Sequence, residues 1–314
     1  MPIGRAERPS GPSLRAAQAV ESVASFDVEH VAANDIDVAY VDAGRGESVL
    51  LLHGFPDIAT TFTPLIERLV AAGYRCVAPW LRGYWPTGLG RFYDEGSLVA
   101  DAIGLVEALD LSPVRIVGHD WGGDVVYGLA SARPDLVASG VAMAAPHTRS
   151  LRANRRADYD QLRRQFYMWM FQVPGLAESV LPEDGWEFVR RLWEEWSPGW
   201  EPPGAHVTTV IETLGRPGVL EAAVAYYRAL FDAALRDPAR DDLRIAVEAG
   251  PVPRPTLLLM GERDGCISPG MAHGSGRAFE GPYSIETLEG CGHFLHLERP
   301  DEVAARIIDW FERH

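Results

Sequence analysis

Short apolar runs alternate with amphipathic stretches along two parts of the chain. Apolar runs of strand length occur at residues 48–52, 74–78, 114–117, 137–144, 255–260 and 283–288. Between the earlier runs, apolar residues return at helical spacing, as in residues 62–70, 98–109 and 122–132. Such alternation with short connections is typical of a mostly parallel sheet that helices cover on both faces. The pattern therefore predicts an α/β fold.

The pattern changes in the middle of the chain. Residues 147–249 contain no clear buried strand and are rich in Trp, Tyr, Arg and Pro. Helical stretches within this part are predicted at residues 159–171, 186–196 and 219–235. We therefore predict a helical cap over residues 147–249, inserted into one core domain made of residues 25–146 and 250–314. Residues 1–24 are predicted to form a flexible tail, because they lack the apolar run that a signal peptide needs.

Composition limits the partners of the chain. Its 314 residues carry a formal net charge of −15, which opposes binding to phosphate backbones and to anionic lipid. No apolar run reaches the roughly 18 residues of a membrane span. Three scattered cysteines, Cys76, Cys266 and Cys291, form no disulfide framework and no metal-ligand spacing. We predict a cytoplasmic protein with no cofactor, metal, nucleic acid or membrane partner, whose assembly into a homodimer stays open.

A glycine-flanked aspartate follows one predicted strand. In the segment Gly118-His-Asp-Trp-Gly-Gly123, small residues lie two before and two after Asp120, as in the sharp turn that exposes a nucleophile between a strand and a helix. A lone Asp at this position would more simply cap the helix, since Asp is a favoured N-cap. The flanking glycines and the partners described below favour the nucleophile.

The usual nucleophile of this turn is serine, and the aspartate changes the chemistry. A carboxylate that attacks an ester carbonyl gives a mixed anhydride, which is a poor result for an esterase. Attack on a saturated carbon instead gives an alkyl ester, which water then hydrolyses. Asp120 therefore indicates a substrate with an epoxide carbon or a carbon–halogen carbon.

A histidine and a second carboxylate complete the predicted catalytic set. His293 follows a Gly-Cys-Gly turn after the last predicted strand, and a near-neutral imidazole can activate the hydrolytic water. Asp264 follows another predicted strand and would fix the tautomer of His293. Glu262 and Asp94 are poorer candidates for this acid. The order Asp120, Asp264, His293 is that of nucleophile, acid and base in α/β-hydrolases.

Two backbone amides are predicted to hold the developing oxyanion. In this kind of site the amides come from the residue after the nucleophile and from the loop after an earlier strand. These positions correspond to Trp121 and to Phe55 in the His53-Gly-Phe-Pro56 turn. We interpret His53 as structural, and we expect the side chain of His119 to point away from the reacting groups.

Four segments make the chain resemble the epoxide hydrolases of the α/β-hydrolase fold, from about residue 31 to the C-terminus. The segment around Asp120 is the most specific, because haloalkane dehalogenases share Asp-Trp but usually carry Asn where Phe55 stands, and fluoroacetate dehalogenases carry Arg in place of Trp121. The four segments are His53-Gly-Phe-Pro-Asp57, Gly118-His-Asp-Trp-Gly-Gly123, Gly261-Glu-Arg-Asp264 and Gly290-Cys-Gly-His293.

The resemblance also implies two cap tyrosines that act as acids toward the epoxide oxygen. The surroundings of Tyr167 and Tyr227 match the stretches that carry these tyrosines, although Tyr226 next to Tyr227 leaves the second assignment ambiguous. A phenol can donate to the alkoxide that forms when the ring opens. One departure is Trp85-Pro86, where relatives often show a Gly-x-Ser type of sequence, so the pocket wall is expected to differ.

The resemblance implies an enzyme that converts a small apolar epoxide and water into a vicinal diol. Two alternatives stay open: a haloalkane dehalogenase, in which the Trp121 indole would hold the halide, and an inactive relative that only binds a small molecule. The cap tryptophans indicate either an apolar pocket or a well-packed lid; they are Trp169, Trp186, Trp193 and Trp196.

Overall fold

The computed structural model describes residues 26–156 and 158–314, and within them eight strands form one sheet. The predicted tail, residues 1–24, lies outside the described residues. In chain order the strands are β1 (Val28–Ala33), β2 (Ile36–Gly44), β3 (Ser48–Leu52), β4 (Arg75–Pro79), β5 (Val114–His119), β6 (Val137–Met143), β7 (Thr256–Gly261) and β8 (Tyr283–Leu288). They lie side by side in the order β1-β2-β4-β3-β5-β6-β7-β8.

The strands from β4 to β8 across the sheet are all parallel to their neighbours. Strand β7 is buried along its whole length, and β3 is buried except at its first residue. Strands covered on both faces are continuous apolar runs in the sequence, which is why the pattern located them. The predicted α/β architecture with a mostly parallel sheet is confirmed.

Two strands at one edge were not predicted. Strand β2 pairs antiparallel with both β1 and β4, and β1 is half-buried or exposed at every residue except its last. An edge strand that faces water carries polar residues and lacks the apolar run of a central strand. This edge is therefore weakly marked in the sequence.

Helices connect and cover the strands. In chain order the α-helices of the described residues are α1 (Thr63–Ala71), α2 (Glu95–Ala108), α3 (Trp121–Ala132), α4 (Thr148–Arg155), α5 (Tyr159–Arg164), α6 (Phe166–Met170), α7 (Leu176–Val180), α8 (Glu183–Trp196), α9 (Gly204–Leu214), α10 (Val219–Ala229), α11 (Asp241–Ala249), α12 (Leu295–Glu298) and α13 (Pro300–Arg313). Helix α1 packs against α13, and α11 packs against α2 and α3. The core lies between these helices and the sheet, where side chains such as Leu50, Ile116 and Leu258 are fully buried.

The chain between β6 and β7 is helical, but its helices are shorter than the sequence predicted. The predicted helix 159–171 is interrupted at Gln165, which has φ −97° and ψ 22°. The predicted helix 219–235 ends at Ala229. Helix α8 contains three consecutive residues with positive φ, 184–186, which break its first turn. The division into core and cap at residues 147 and 249 stays a prediction.

No helix within residues 26–156 and 158–314 has the length and hydropathy that crossing a lipid bilayer requires.

Candidate active site

Asp120 lies in a sharp turn between β5 and α3. Its backbone has φ 51° and ψ −116°, a region that a residue with a side chain rarely adopts and that must be held by its surroundings. A Cβ at Gly118 would collide with the carbonyl oxygen of Gly122, and a Cβ at Gly122 would collide with that of Leu52. Glycine is therefore needed at both positions for the backbone to turn so tightly.

The Asp120 carboxylate faces two backbone amides. The amide of Phe55 donates to Oδ1 of Asp120 at 2.9 Å, and the amide of Trp121, the next residue, is among the groups that lower the pKa of the carboxyl. Burial raises the pKa of Asp120 above its ordinary value, while His293 and these two amides oppose the rise. The structure thus brings together the predicted nucleophile and both predicted oxyanion donors.

His293 lies between the two carboxylates that the sequence predicted. Its Nδ1 is 2.9 Å from Oδ2 of Asp264, and its Nε2 is 3.8 Å from Oδ2 of Asp120. Oδ1 of Asp264 accepts the amides of Cys266 at 2.8 Å and Ile267 at 2.7 Å, so this carboxylate is fixed on both oxygens. Nε2 of His293 is buried, makes no hydrogen bond among the described residues and lies toward Asp120.

The charges around His293 tune it as a base. Burial lowers its pKa, but Asp264 and then Asp120 outweigh burial, so the pKa lies above its ordinary value. The two poorer candidates for the orienting acid lie elsewhere. Glu262 accepts the amide of Gly290, and Asp94 caps helix α2 at the amide of Ser97.

The tyrosines at positions 167 and 227 lie beside the nucleophile. Their ring centroids are 5.5 Å apart, and both side chains line the same cavity as Asp120 and Trp121. The hydroxyl of Tyr227 makes no hydrogen bond within the described residues, and that of Tyr167 lies 3.5 Å from Sγ of Cys266. Burial raises the pKa of both phenols well above 10, so both stay protonated and able to donate.

Three nearby residues point away from the cavity. Tyr226 donates its hydroxyl to the carbonyl oxygen of Arg82 at 2.7 Å, which separates it from Tyr227. Nε2 of His119 lies 3.0 Å from the carbonyl oxygen of His293, and Nε2 of His53 accepts the amide of Leu81. None of the three lines the cavity, and their contacts are structural.

The sequence analysis missed the part of the cap that supports the catalytic loops. The carbonyl oxygen of Trp196, at the end of α8, accepts the amide of His293 at 3.0 Å and the amide of Gly265 at 2.9 Å. The hydroxyl of Ser197 accepts the amide of Phe294 at 3.1 Å and donates to Glu298 at 2.7 Å. The Trp-Ser-Pro-Gly turn at residues 196–199 marks the end of a helix in the sequence but not this contact.

A cavity of about 400 Å³ opens beside Asp120, and its lining is partly apolar and partly charged. One wall carries Trp121, Tyr167, Tyr227 and neighbouring apolar side chains. The remaining lining is strongly charged and was not predicted; it comprises Glu95, Asp124, Arg152, Arg155, Arg156, Arg236, Arg244 and Glu248. The small apolar epoxide expected from the sequence stays a prediction, and the charged groups are a feature of the lining that this expectation did not include.

Two buried carboxyl groups in this cavity have unusual acidity. Burial, followed by the charge of Asp124, raises the pKa of Glu95 to about 8. Burial raises the pKa of Asp124 to about 7, although the hydroxyl of Thr148 donates to it at 2.9 Å. Asp124 lies in the first turn of α3, directly after the turn that carries Asp120.

Two of the four cap tryptophans are packed in the core, whereas Trp169 is exposed. Trp193 and Trp196 are fully buried, Trp193 stacking on Phe294 at 3.7 Å between ring centroids. None of the four tryptophans singled out in the sequence lines the cavity. Trp85 also lies outside the lining and holds the guanidinium of Arg216 over its ring at 3.4 Å, so this departure from the family does not form the pocket wall.

One group of buried side chains among the described residues has the composition of a metal site. Ligand atoms of Asp57, His119 and His296 lie within 4.8 Å of one another. The carboxylate of Asp57 also contacts His206 at 2.7 Å, and Nε2 of His296 lies 2.6 Å from the hydroxyl of Thr61. The group lies outside the cavity lining and cannot touch a ligand there.

Comparison with known proteins places the chain in a family. The model of the alpha/beta hydrolase family matches residues 49–306. Epoxide hydrolase A of Mycobacterium tuberculosis is 28% identical, with 88% of this chain and 94% of the relative covered. Epoxide hydrolase 4 of Homo sapiens is also 28% identical, with 84% of this chain and 72% of the relative covered.

The fold has a close match among solved structures. The crystal structure of epoxide hydrolase A from Mycobacterium thermoresistibile aligns with a TM-score of 0.76 at 25% identity. The alignment covers 92% of this chain and 98% of that chain. The similarity therefore includes the sheet and the helices between β6 and β7.

Proposed function

The chain belongs to the alpha/beta hydrolase family and is an epoxide hydrolase, and we propose that it opens its epoxide through a covalent ester on Asp120. The proposal rests on one observation above all. The Asp120 carboxylate and the two phenols at positions 167 and 227 line one cavity, and the imidazole of His293 lies behind the carboxylate, with Nε2 at 3.8 Å from Oδ2 of Asp120. This arrangement provides a nucleophile, a base and two proton donors.

In the first step Asp120 attacks one carbon of the oxirane. A bond forms between a carboxylate oxygen and that carbon, and the bond from the carbon to the ring oxygen breaks. The alkoxide that develops receives hydrogen bonds, and then a proton, from the phenols of Tyr167 and Tyr227. Such a donor contributes about 10² to 10⁴ in rate.

In the second step water hydrolyses the ester. His293 takes a proton from water through Nε2 while the oxygen attacks the carbonyl carbon of the Asp120 ester, and Asp264 holds the imidazolium. The amides of Phe55 and Trp121 bind the oxyanion of the tetrahedral intermediate. Collapse breaks the bond between the carbonyl carbon and the diol oxygen, and this leaving oxygen takes the proton of the newly added hydroxyl, so the vicinal diol is released and Asp120 is again a carboxylate. The proton on His293 returns through the site to the tyrosine that lost one.

The decisive experiment is intact-protein mass spectrometry of a His293→Gln variant. Without the base, ester hydrolysis is expected to slow by about 10² or more while ester formation continues. Incubation with styrene oxide should then add the full mass of the epoxide to the protein. An Asp120→Asn, His293→Gln double variant should add none.

A His273→Gln variant is the matched control, because His273 is exposed and lies outside the cavity. It should form diol at the wild-type rate and show no added mass. Absence of an adduct on His293→Gln across a panel of epoxides, with diol formation retained, would contradict the covalent mechanism.

The same experiment separates the two alternatives. An alkyl halide that reacts as in a dehalogenase would add its alkyl group alone, and the halide would appear in solution. A protein that only binds small molecules would show neither adduct nor turnover, and that result would overturn the proposed mechanism. The two phenols beside Asp120 favour the epoxide, because they can donate to an alkoxide.

Two further statements about this chain stay predictions from the sequence. One is its cytoplasmic location, and the other is the assembly state, for which a homodimer stays open. Neither affects the chemistry proposed for the cavity.

A further inference from the structure

The charged wall of the cavity is only partly neutralised by the protein. Arg152 pairs with Glu248 at 2.9 Å, and Arg244 pairs with the same carboxylate at 2.8 Å. Arg236 donates to the backbone carbonyl oxygens of Ala229 and Leu230. These guanidinium groups are already engaged by groups of the chain itself.

Arg155 is different. It lies at the end of α4, is half-buried and lines the cavity, and its guanidinium has no hydrogen bond or ion pair within the part of the chain that the structure describes. Burial and the neighbouring Arg152 lower its pKa, which means that its charge lacks compensation. Tyr167 is among the groups that act on that pKa, so Arg155 lies within electrostatic range of the phenol.

The carboxyl groups of Glu95 and Asp124 do not supply enough negative charge to neutralise Arg155. With a pKa of about 8, Glu95 is mostly protonated at neutral pH and contributes little negative charge. Asp124, with a pKa of about 7, is only partly ionised. The cavity is therefore prepared to receive an anion at the same time as an electrophilic carbon.

We propose that the substrate is an epoxide that carries a carboxylate, and that Arg155 binds this carboxylate while Asp120 attacks the oxirane. The inference rests on the proposed function and specifies its substrate class. The planar guanidinium matches a carboxylate in a two-point hydrogen-bonded pair, which supplies orientation as well as affinity. Arg155 is thus a specificity-determining residue, outside the set that makes and breaks bonds.

The size of the cavity agrees with this class. At about 400 Å³ it takes a small molecule with both ends of its structure in contact with protein. The oxirane would lie between Asp120 and the phenols, and the carboxylate would lie at the charged wall. The mostly protonated carboxyl of Glu95 can donate a hydrogen bond to an anion instead of repelling it.

The first test compares two epoxides that differ mainly in charge. The probes are 3-phenyloxirane-2-carboxylate and its neutral primary amide, with styrene oxide as a general epoxide reference. For the wild-type protein kcat/KM for the carboxylate should exceed that for the amide by about 10-fold to 100-fold, the worth of a charge-assisted pair. A series of carboxylates one to four carbons from the ring fixes the distance to Arg155.

The second test changes the arginine. Arg155→Met should lower kcat/KM for the carboxylate by about 10-fold to 100-fold, mainly through KM, and leave the amide almost unaffected. Arg155→Lys should restore part of the loss, because an ammonium keeps the charge without the planar fork. Arg149→Met is the matched control on the same helix, since Arg149 is exposed and does not line the cavity.

The outcomes distinguish this inference from the function on which it rests. Turnover of styrene oxide and the amide without preference for the carboxylate would overturn the inference and leave the epoxide hydrolase intact. An equal loss for both probes in Arg155→Met would show a structural role and would also overturn it. A preference for a phosphate monoester of an epoxide over the carboxylate would overturn the assignment of the carboxylate as the anion that Arg155 binds. No turnover of any epoxide, and no adduct on His293→Gln, would instead reject the proposed function.

Discussion

Two adjacent tyrosines of α10 have different environments, which allows a test at the scale of one hydroxyl group. The phenol of Tyr227 faces the cavity with no hydrogen bond among the described residues, whereas that of Tyr226 donates to the carbonyl oxygen of Arg82. Tyr227→Phe should slow ester formation by about 10-fold to 100-fold, with Tyr167 still donating. Rapid-quench measurement of ester formation provides the rate.

Tyr226→Phe is the control for this change. It removes a buried hydrogen bond and should lower the free energy of unfolding by about 1 kcal/mol without slowing ester formation. If both variants lose the same rate, or only Tyr226→Phe does, the assignment of Tyr227 as a donor is wrong.

The ionisation of His293 gives a second test at this scale. Asp264 and Asp120 raise its pKa above 6.5 despite burial. Ester hydrolysis needs the neutral imidazole, so its rate should fall as pH decreases through the pKa of His293 in the ester, which Asp264 still raises but the uncharged, esterified Asp120 no longer does. Single-turnover hydrolysis of the Asp120 ester, followed from about pH 5 to about pH 9, measures this dependence. This range includes the pH values at which histidine side chains usually titrate.

Asp120→Asn should move the titration of His293 in a known direction. The substitution removes a negative charge whose oxygen lies 3.8 Å from Nε2, so the pKa should fall by about one unit or more. NMR titration of the imidazole measures the change. A pKa at or below 6.5 in the wild-type protein, or no change in the variant, would contradict the electrostatic account.

Single residues differ in how far the sequence reveals them. Asp120 and His293 were readable because the glycines around them, such as Gly118 and Gly122, mark tight turns next to apolar strands. Arg155 and Glu95 were not, because a charged residue in a helix is usually solvated. Their placement depends on which helix faces the cavity, and no local pattern encodes that.

At the scale of elements, the turn between β5 and α3 depends on close backbone contact. A Cβ at Gly118 would collide with the carbonyl oxygen of Gly122, which is backbone and cannot rotate away. Gly118→Ala should therefore lower the free energy of unfolding by about 1–3 kcal/mol or more. Urea denaturation followed by circular dichroism measures the change.

Gly204→Ala is the matched control for this substitution. Gly204 begins α9, and an added Cβ there meets no atom within 4 Å. Its stability should stay the same or increase slightly, because alanine favours helix. Wild-type stability for Gly118→Ala would mean that the turn relaxes easily and that the strain at Asp120 has another source.

The cap helices show where element prediction fails. Apolar spacing ran on through residues 159–171, but the backbone leaves the helix at Gln165. Similarly, residues 184–186 adopt positive φ inside a stretch that looks helical. Tertiary packing determines these breaks, since the sequence near them contains only one glycine among the three residues and no proline within the 159–171 stretch.

At the scale of the whole molecule, the parallel strands were predictable and the antiparallel edge was not. Central strands need apolar residues on both faces, so β3 and β7 are continuous apolar runs. The edge strand β1 faces water for much of its length and lacks that mark. More of the candidate site than of this edge of the sheet could be predicted from the sequence. The reason is that Asp120, Asp264 and His293 follow the ends of strands that the sequence marks clearly.

The carbonyl oxygen of Trp196 fastens the end of α8 to both the acid loop and the base loop, through the amides of Gly265 and His293. Because of these two hydrogen bonds, the end of α8 can rotate slightly about this point. Moving it away from the core would displace His293 from Asp264. We therefore expect substrate to enter and diol to leave at a different side of the cavity. The exposed residues Arg156 and Phe231 line the cavity on that side. The entrance then lies at the charged wall of the cavity, so an incoming anion would contact the arginines before it reaches Asp120.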